Sequence, residues 1–504
     1  MVGCIKKGGA KVLTLQEIKQ FMDEDSTSDK KLQAKKGEAY YNADHDIKDY
    51  RLFYYNKDGE MVEDKTRSNF KISHPFFTEL VDQAVQYILS GDEGFIKSDN
   101  PKLQAEMDAY FNENENFIAE LSEALTDCQT KGSAFMYAYK DAEGKIAFEC
   151  ADSMGVIEVR AKDTDANTDH VIYWYTDRIE KGKKQIIRIQ VWDEEQTWFY
   201  VQDGNGGEIK EDDSEPINPK PHTLYEKEGD SKTYYEGFGF IPFFRLDNNK
   251  KQVSALAPIK PLIDDYDLHA SSLTNNLVDF DTPVYAVKGF DGDNLEELGL
   301  NVKSRKMLGV PEEGGIEVHT VEIPYSARKE KLELDEKNIY RFGMGLNTSG
   351  LKDTNATTNI AIKAAYSLLD LKCSKLIIRL KQFLRKILKV VIDEINAVNG
   401  TDYQMKQIYF DFTPEVMSNA QENAQIALTE AQRKQVEITT LQNLATLLDN
   451  ETLMQLICEQ LDIDYEEIKG KLPDPDEAEN AIKTAQGDLD DVPVEDGADD
   501  VLVG

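Results

Sequence analysis

Between Pro75 and Leu89 the apolar residues Phe76, Phe77, Leu80, Val81, Ala84, Val85 and Ile88 recur three and four apart, which places them on one face of a helix. Ser73 is positioned to cap that helix, His74 to make a contact at its start, and Gly91 to follow its end. A second helix is expected from Phe117 to Cys128, with Ile118, Leu121 and Leu125 on one side. Ahead of both, Phe53, Tyr54 and Tyr55 run into Asn56-Lys57-Asp58-Gly59, so Arg51 to Val62 reads as a hairpin. The pattern then changes to short β-branched or aromatic runs: Ala134–Tyr139, Lys145–Glu149, Val171–Tyr175, Gln185–Trp192 and Thr197–Val201, an antiparallel sheet. Gln202 to Asp230 is acidic, rich in Gly and Pro and poor in apolar residues, and reads as a surface loop.

Helical spacing returns after Pro258 and Pro261, where Leu262, Tyr266, Ala270, Leu273 and Leu277 form a stripe opposite the polar Asp264, Asp265, Ser271 and Asn275. Three strand-like pieces follow, Val284–Lys288, Lys306–Val310 and Ile316–Ile323. Pro324 then opens a charged helix, Tyr325 to Phe342, which is expected to pair Glu333 with Lys337 and to stop at Gly343. Gly343 to Thr357 has no periodicity and reads as a loop. Thr357 or Thr358 can cap a helix reaching about Asn396. A strand at Gln407–Phe412 precedes a helical region from Pro414 to about Leu472, broken at Asp449-Asn450. The fold class is α+β, with long helices and antiparallel strands.

A chain of 504 residues holds about three domains or one elongated subunit. Its formal charge is −36, so its overall field repels nucleic acid. From Pro473 to Gly504 there are 11 acids and one base, Lys483, and this end is expected to be a disordered acidic tail. No apolar run is long enough to span a bilayer, and Met1 to Val12 lacks a secretory core, so a soluble protein that stays in a reducing cytoplasm is expected. Cys4, Cys128, Cys150, Cys373 and Cys458 are dispersed and contain no CxxC pair.

The chain carries few motifs with recognisable chemistry. There is no phosphate-binding G-x-x-x-x-G-K-[ST], Gly343, Gly345 and Gly350 do not make a dinucleotide cradle, and the six histidines lack metalloprotease spacing. Asp291-Gly292-Asp293 begins like a calcium loop, but Glu296 and Val302 stand where glycine and glutamate are needed. Neither a cofactor nor a metal is expected, and no enzymatic activity has specific support. Leu371 to Ile392 carries Lys372, Lys375, Arg379, Lys381, Arg385, Lys386 and Lys389 without an acid, interleaved with Leu and Ile. Three readings stay open for it: a membrane surface, a nucleic-acid backbone, or a core helix whose bases meet acids of a neighbouring element or subunit. The first of these would make the protein a soluble, peripheral membrane-binding scaffold.

Lys65-Thr-Arg-Ser-Asn-Phe-Lys-Ile-Ser-His-Pro-Phe-Phe77, Leu80-Val-Asp-Gln83, Tyr87-Ile-Leu-Ser-Gly91, Gly239-Phe-Ile-Pro-Phe-Phe-Arg245, Pro261-Leu-Ile-Asp-Asp-Tyr-Asp267 and Tyr366-Ser-Leu-Leu-Asp-Leu-Lys372 occur in an order that resembles the portal proteins of long-tailed bacteriophages with Gram-positive hosts. The resemblance implies a homo-oligomeric ring of about 12 subunits at one capsid vertex, assembled in the host cytoplasm and retained in the virion. Double-stranded DNA would pass through it, driven by a separate terminase large subunit. The other implied partners are major capsid and scaffold proteins and a head-completion or adaptor protein, with no membrane.

Carried onto this chain, residues 1–45 would be an N-terminal arm, 46–254 the wing, 255–279 and 324–342 two stem helices, and 280–323 the clip. Residues 343–357 would be the tunnel loop, 358–412 the long channel or wing helix and its strand, 413–472 the crown and 473–504 the tail. The resemblance points to Asn347, Thr348, Ser349, Leu351, Lys352, Asp353, Thr354 and Asn355 as the DNA-facing loop. Partner contacts would fall on Asp291, Asp293, Lys303, Arg305, Glu312 and Glu313 of the clip.

Overall fold

The computed structural model describes residues 12–65, 67–91, 94–141, 144–160, 168–178, 185–204, 206–226, 233–280, 284–288, 315–319, 324–347, 359–412 and 420–443, with 452, 454–456 and 458. The chain divides into a larger unit, 1–356 with 360–416, and a smaller one, 357–359 with 417–504.

The larger unit begins with helices α1 (Leu15–Ser26) and α2 (Asp29–Tyr41). Thr14 and Glu17 close a reciprocal capping box on the first, and Ser28 caps the second. The expected hairpin forms as β1 (Phe53–Tyr55) and β2 (Met61–Glu63), with Gly59 at φ +79° in its turn, where only glycine is unstrained. Helix α3 (Phe76–Leu89) buries Phe77, Leu80, Val81, Ala84, Val85 and Ile88 as its spacing predicts. Its start differs from expectation. Pro75 is the capping residue, no side chain caps the helix, and the Ser73 hydroxyl is buried with no partner among the described residues. The entering chain is held by His74 and by Thr78 Oγ1, which donates to Tyr41 O at 2.5 Å.

Strand β3 (Ile96–Ser98), α4 (Pro101–Met107), a short π-helical turn at Asp108–Asn112 and α5 (Glu115–Lys131) follow. Asn114 caps α5, and Gly132 ends it in the left-handed conformation. The sheet region resolves into two main sheets. One has the order β14-β4-β5, from Phe243–Asp247, Ser133–Lys140 and Ile146–Ala151. The other has the order β10-β9-β8-β7-β6, from Lys210–Glu211, Gln196–Asp203, Gln185–Trp192, His170–Arg178 and Val156–Val159, with β11 (Lys220–Pro221) also on β9. All pairings are antiparallel.

The surface loop expected at Gln202–Asp230 is therefore corrected: β10, β11 and β12 (Thr223–Glu226) lie in it, β12 pairing with β13 (Thr233–Glu236). Ile209 is buried there, and Asp212 accepts from Arg188 of β8, so two anchors outweigh the polar composition.

Helix α6 runs from Lys260 to Phe280 and α7 from Tyr325 to Gly343. Between them β15 (Val284–Lys288) pairs antiparallel with β16 (Gly315–His319), while the strand expected at Lys306–Val310 lies outside the described residues. On α7 the ion pairs run from Lys329 to Glu333 at 3.8 Å and from Lys331 to Asp335; Glu333 does not pair with Lys337. Lys331 also reaches Asp265 of α6, so it bridges the two helices.

Helix α8 spans Asn359–Asn399, 41 residues or about 60 Å at ~1.5 Å per residue. Its buried stripe of Leu369, Cys373, Leu376, Leu380, Leu384, Ile387 and Val391 joins α3, α5 and the β14-β4-β5 sheet in one core. Strand β17 (Ile408–Phe410) returns to pair with β3. In the smaller unit α9 covers Ala420–Asn443, and the expected break at Asp449-Asn450 lies outside the described residues. Cys128, Cys150, Cys373 and Cys458 are free thiols.

Candidate functional site

The segment before α3 is an extended strap laid antiparallel along α6. Backbone N–H groups of alternate residues donate to side chains four apart on the helix. Ser68 N reaches Asp279 Oδ1 at 3.1 Å, Phe70 N reaches Asn275 Oδ1 at 2.6 Å, Ile72 N reaches Ser271 Oγ at 3.0 Å and His74 N reaches Asp267 Oδ1 at 3.0 Å. The geometry matches because two extended residues advance about 6.6 Å and four helical residues about 6 Å. The polar face of α6 is thus a row of acceptors for an extended segment that pairs with no strand among the described residues.

Asp267 closes this row. It is fully buried and accepts from His45 Nδ1 at 2.5 Å and His74 Nδ1 at 2.8 Å, while His45 Nε2 sits 3.2 Å from Tyr40 O. Burial alone would raise its carboxyl, but the hydrogen bonds from the two histidines outweigh that and hold it below the usual carboxylate range. One carboxylate therefore ties α6 to the end of α2 and to the start of α3.

Helix α3 in turn grips the end of α7. Gln83 Oε1 accepts from Leu346 N at 2.9 Å, and its Nε2 donates to Leu346 O at 3.0 Å and to Glu79 Oε1 at 3.0 Å. Tyr340 OH donates to Glu79 Oε2 at 2.5 Å; burial and that carboxylate push the phenol up. The expectation that Gly343 would end the helix is corrected by one residue. Gly343 is its last member, and Met344 takes the left-handed turn with φ 56°. The two flanking glycines serve close packing instead. A Cβ on Gly343 would stand 2.6 Å from Leu80 Cδ1, and one on Gly345 would stand 2.1 Å from Leu80 Cδ2.

The same helix also packs against α8, more than ten residues beyond its start. Lys372 Nζ donates to Leu80 O at 3.0 Å, Tyr87 OH to Asp370 Oδ1 at 3.3 Å, and Cys373 Sγ lies 3.7 Å from Ala84 O. Burial pushes the Lys372 amine down to about 8. Helix α3 thus holds the end of α7 and the part of α8 around Asp370–Cys373.

Of the loop residues singled out from the sequence, Asn347 is described: it is half-buried and its Nδ2 donates to Glu336 Oε1 at 3.3 Å. Thr348, Ser349, Leu351, Lys352, Asp353, Thr354 and Asn355 lie outside the described residues, as do Asp291, Asp293, Lys303, Arg305, Glu312 and Glu313. Leu80 is on the helix face that the apolar spacing predicts and His74 makes the helix-entry contact expected of it, while Gln83 and Asp267 stand out in the sequence only as members of motifs. His45 and Glu79 carried no signal at all. Among the described residues no His, Cys, Asp and Glu group is arranged to hold a metal, and no helix is long and apolar enough to cross a membrane. The expectation of no cofactor is untouched by this.

Comparison with known proteins adds what the geometry cannot. The chain is 26% identical over 393 residues to the portal protein of Bacillus phage SPP1, covering 77% of this chain and 76% of that one. It is also 26% identical over 436 residues to the portal protein of Clostridium phage phiCD119, covering 82% and 89%. Among solved structures, the neck of a native GTA particle computed with C12 symmetry aligns at a TM-score of 0.36 and 13% identity, covering 76% of this chain and 89% of that one. The family described as phage portal protein, SPP1 Gp6-like, matches residues 23–469, which takes in the strap, α3, α6, α7 and α8 together, and the chain belongs to that family.

Proposed function

We propose that copies of this chain close into a ring of about twelve at one capsid vertex. The ring is a conduit through which double-stranded DNA enters, is retained and later leaves. The family match over residues 23–469 is the observation that carries this reading. Packaging would be powered by a separate terminase large subunit, in keeping with a sequence that has no phosphate-binding loop, so this protein is a structural part without catalysis of its own. Scaffold and major capsid proteins would surround it, and a head-completion adaptor would follow terminase on the clip, with Asp291, Asp293, Lys303, Arg305, Glu312 and Glu313 as contact residues. Assembly would take place in the host cytoplasm and the finished ring would reside in the virion.

In this reading 343–357 is the tunnel loop, and Asn347 to Asn355 face DNA. The anchoring of Leu346 on Gln83 of α3 supports that role, since a loop that acts on a moving polymer needs a fixed root. A net charge of −36 suits a wall along which phosphates slide without deep binding minima. Native mass spectrometry with negative-stain images of the full chain tests the ring: a closed oligomer of about 12 or 13 copies with a central hole is expected. A species that stays monomeric with terminase and scaffold protein present would defeat the reading. Lys352→Ala is expected to alter packaging rate or DNA retention and leave ring assembly intact; unchanged packaging would remove Lys352 from the DNA path.

A further inference from the structure

Helix α8 has two seams. One is the buried stripe already described. The other is Leu368, Leu371, Lys375, Ile378, Gln382, Arg385 and Lys389, spaced three and four apart throughout, and every member of it is exposed. Ile378 is 63% exposed and Leu371 49%, large values for apolar side chains on a helix whose opposite side is a packed core. Residues three and four apart lie along one side of a helix, so this line sets three apolar side chains and three bases on one exposed face.

The bases of this seam are exposed too. Some lysines elsewhere in this acidic chain hold carboxylates: Lys260 holds Asp46 and Asp264, Lys331 holds Asp265 and Asp335, and Lys131 holds Glu38, Asp127 and Asp152, while others, Lys35, Lys57 and Lys251 among them, have no ion pair among the described residues. Lys375, Arg385, Lys386 and Lys389 have no ion pair among the described residues. Arg385 instead lies over the ring of Phe410, with 5.9 Å to its centroid. In a molecule of net charge −36 this is a concentrated positive strip whose bases have no carboxylate partner among the described residues.

We propose that the exposed seam of α8 is an interface that receives an acidic helical face of a second copy of this chain. The inference rests on the ring reading above and names the surface that would make the ring cohere. Copies carrying −36 each repel one another, so association needs a place where opposite signs meet, and this strip supplies the positive half on every copy. The apolar residues distinguish the occupant. A phosphate backbone has no use for exposed Leu371 and Ile378, whereas a protein interface takes apolar anchors at its centre and charges at its rim. A bilayer surface calls for a wide apolar face, and here Leu368, Leu371 and Ile378 make a single line.

The test uses the full chain with K375E, R385E and K389E combined, beside a K375R/K389R control. Rings are counted by native mass spectrometry, and folding is checked by circular dichroism and melting temperature. The expected result is at least about tenfold less ring for the triple variant at equal concentration, with melting unchanged and the control ring intact, because like charges would face each other across the seam. In wild-type rings made from an equal mixture of ¹⁵N-labelled and unlabelled chains, carbodiimide cross-links from Lys375, Lys386 or Lys389 should join peptides of different isotope content. Rings of the triple variant at wild-type yield, or cross-links confined to single chains, would overturn the proposal. So would intact variant rings that have lost only duplex DNA retention, or lost only binding to vesicles containing phosphatidylserine; these would assign the strip to nucleic acid or membrane. Absence of any wild-type ring would instead strike the ring reading itself.

Discussion

Replacing Gln83 by Ala isolates the contact that roots the segment after α7. The amide makes two hydrogen bonds to the backbone of Leu346, at 2.9 and 3.0 Å, and Leu346 is 9% exposed, so water does not freely replace the lost partner. Leaving a buried N–H and C=O unsatisfied costs about 1–3 kcal/mol, and a value near ~2 kcal/mol corresponds to a roughly 30-fold rise in the population of the locally opened root. Amide hydrogen exchange of the full chain reads this directly. Peptides covering 343–347 should exchange about 30-fold faster in the variant, while those covering the buried stripe of α8 keep wild-type rates. Gln83→Glu keeps the acceptor for Leu346 N but loses the donor to Leu346 O and faces Glu79, so it should fall between wild type and Ala at neutral pH. Wild-type exchange at 343–347 in Gln83→Ala would refute the claim that this side chain fixes the root. Acceleration spread evenly over the larger unit would show that its role is global stability.

Gly345→Ala should destabilise by about 1–3 kcal/mol in urea unfolding through overpacking against Leu80. Leu80→Ala should then cost measurably less in the Gly345→Ala background than in wild type, and strict additivity would count against the contact. Asp267→Asn should cost about 3–5 kcal/mol, because two histidines lose a buried carboxylate partner. The native Asp267 carboxyl lies below its unfolded value, so its contribution is complete above the unfolded value of about 4 and is lost as pH falls through the folded one. The stability gap between wild type and variant should accordingly shrink in acid, and a gap independent of pH would contradict this. Lys372 sits near 8 in the folded chain, below the unfolded value of about 10.4, so the unfolded chain binds the extra proton in between and stability rises with pH over that window. Lys372→Met should abolish that rise, as read from urea midpoints at pH 7.5 to 10.5, which are roughly the limits of the window.

Much of the local architecture was legible because apolar spacing encodes which side of an element is covered. The stripe of α3 was readable residue by residue, as were the hairpin at Phe53–Glu63 and the strands at Ser133–Lys140 and Gln185–Trp192. What covers a face is not in the spacing. The polar side of α6 is readable as polar but not as a ladder for the strap, because the donors on the strap are backbone N–H groups that every residue except proline carries. Gly343 and Gly345 looked like loop punctuation; their absent side chains make room for Leu80, more than 260 positions earlier in the chain. The stretch from Leu371 to Ile392 shows the same division. Its sequence fixed its charge and its helical period, but only the packed structure separated a seam filled by this chain's own core from a seam left open, since periodicity determines how many faces a helix presents and tertiary contact decides which of them is already occupied.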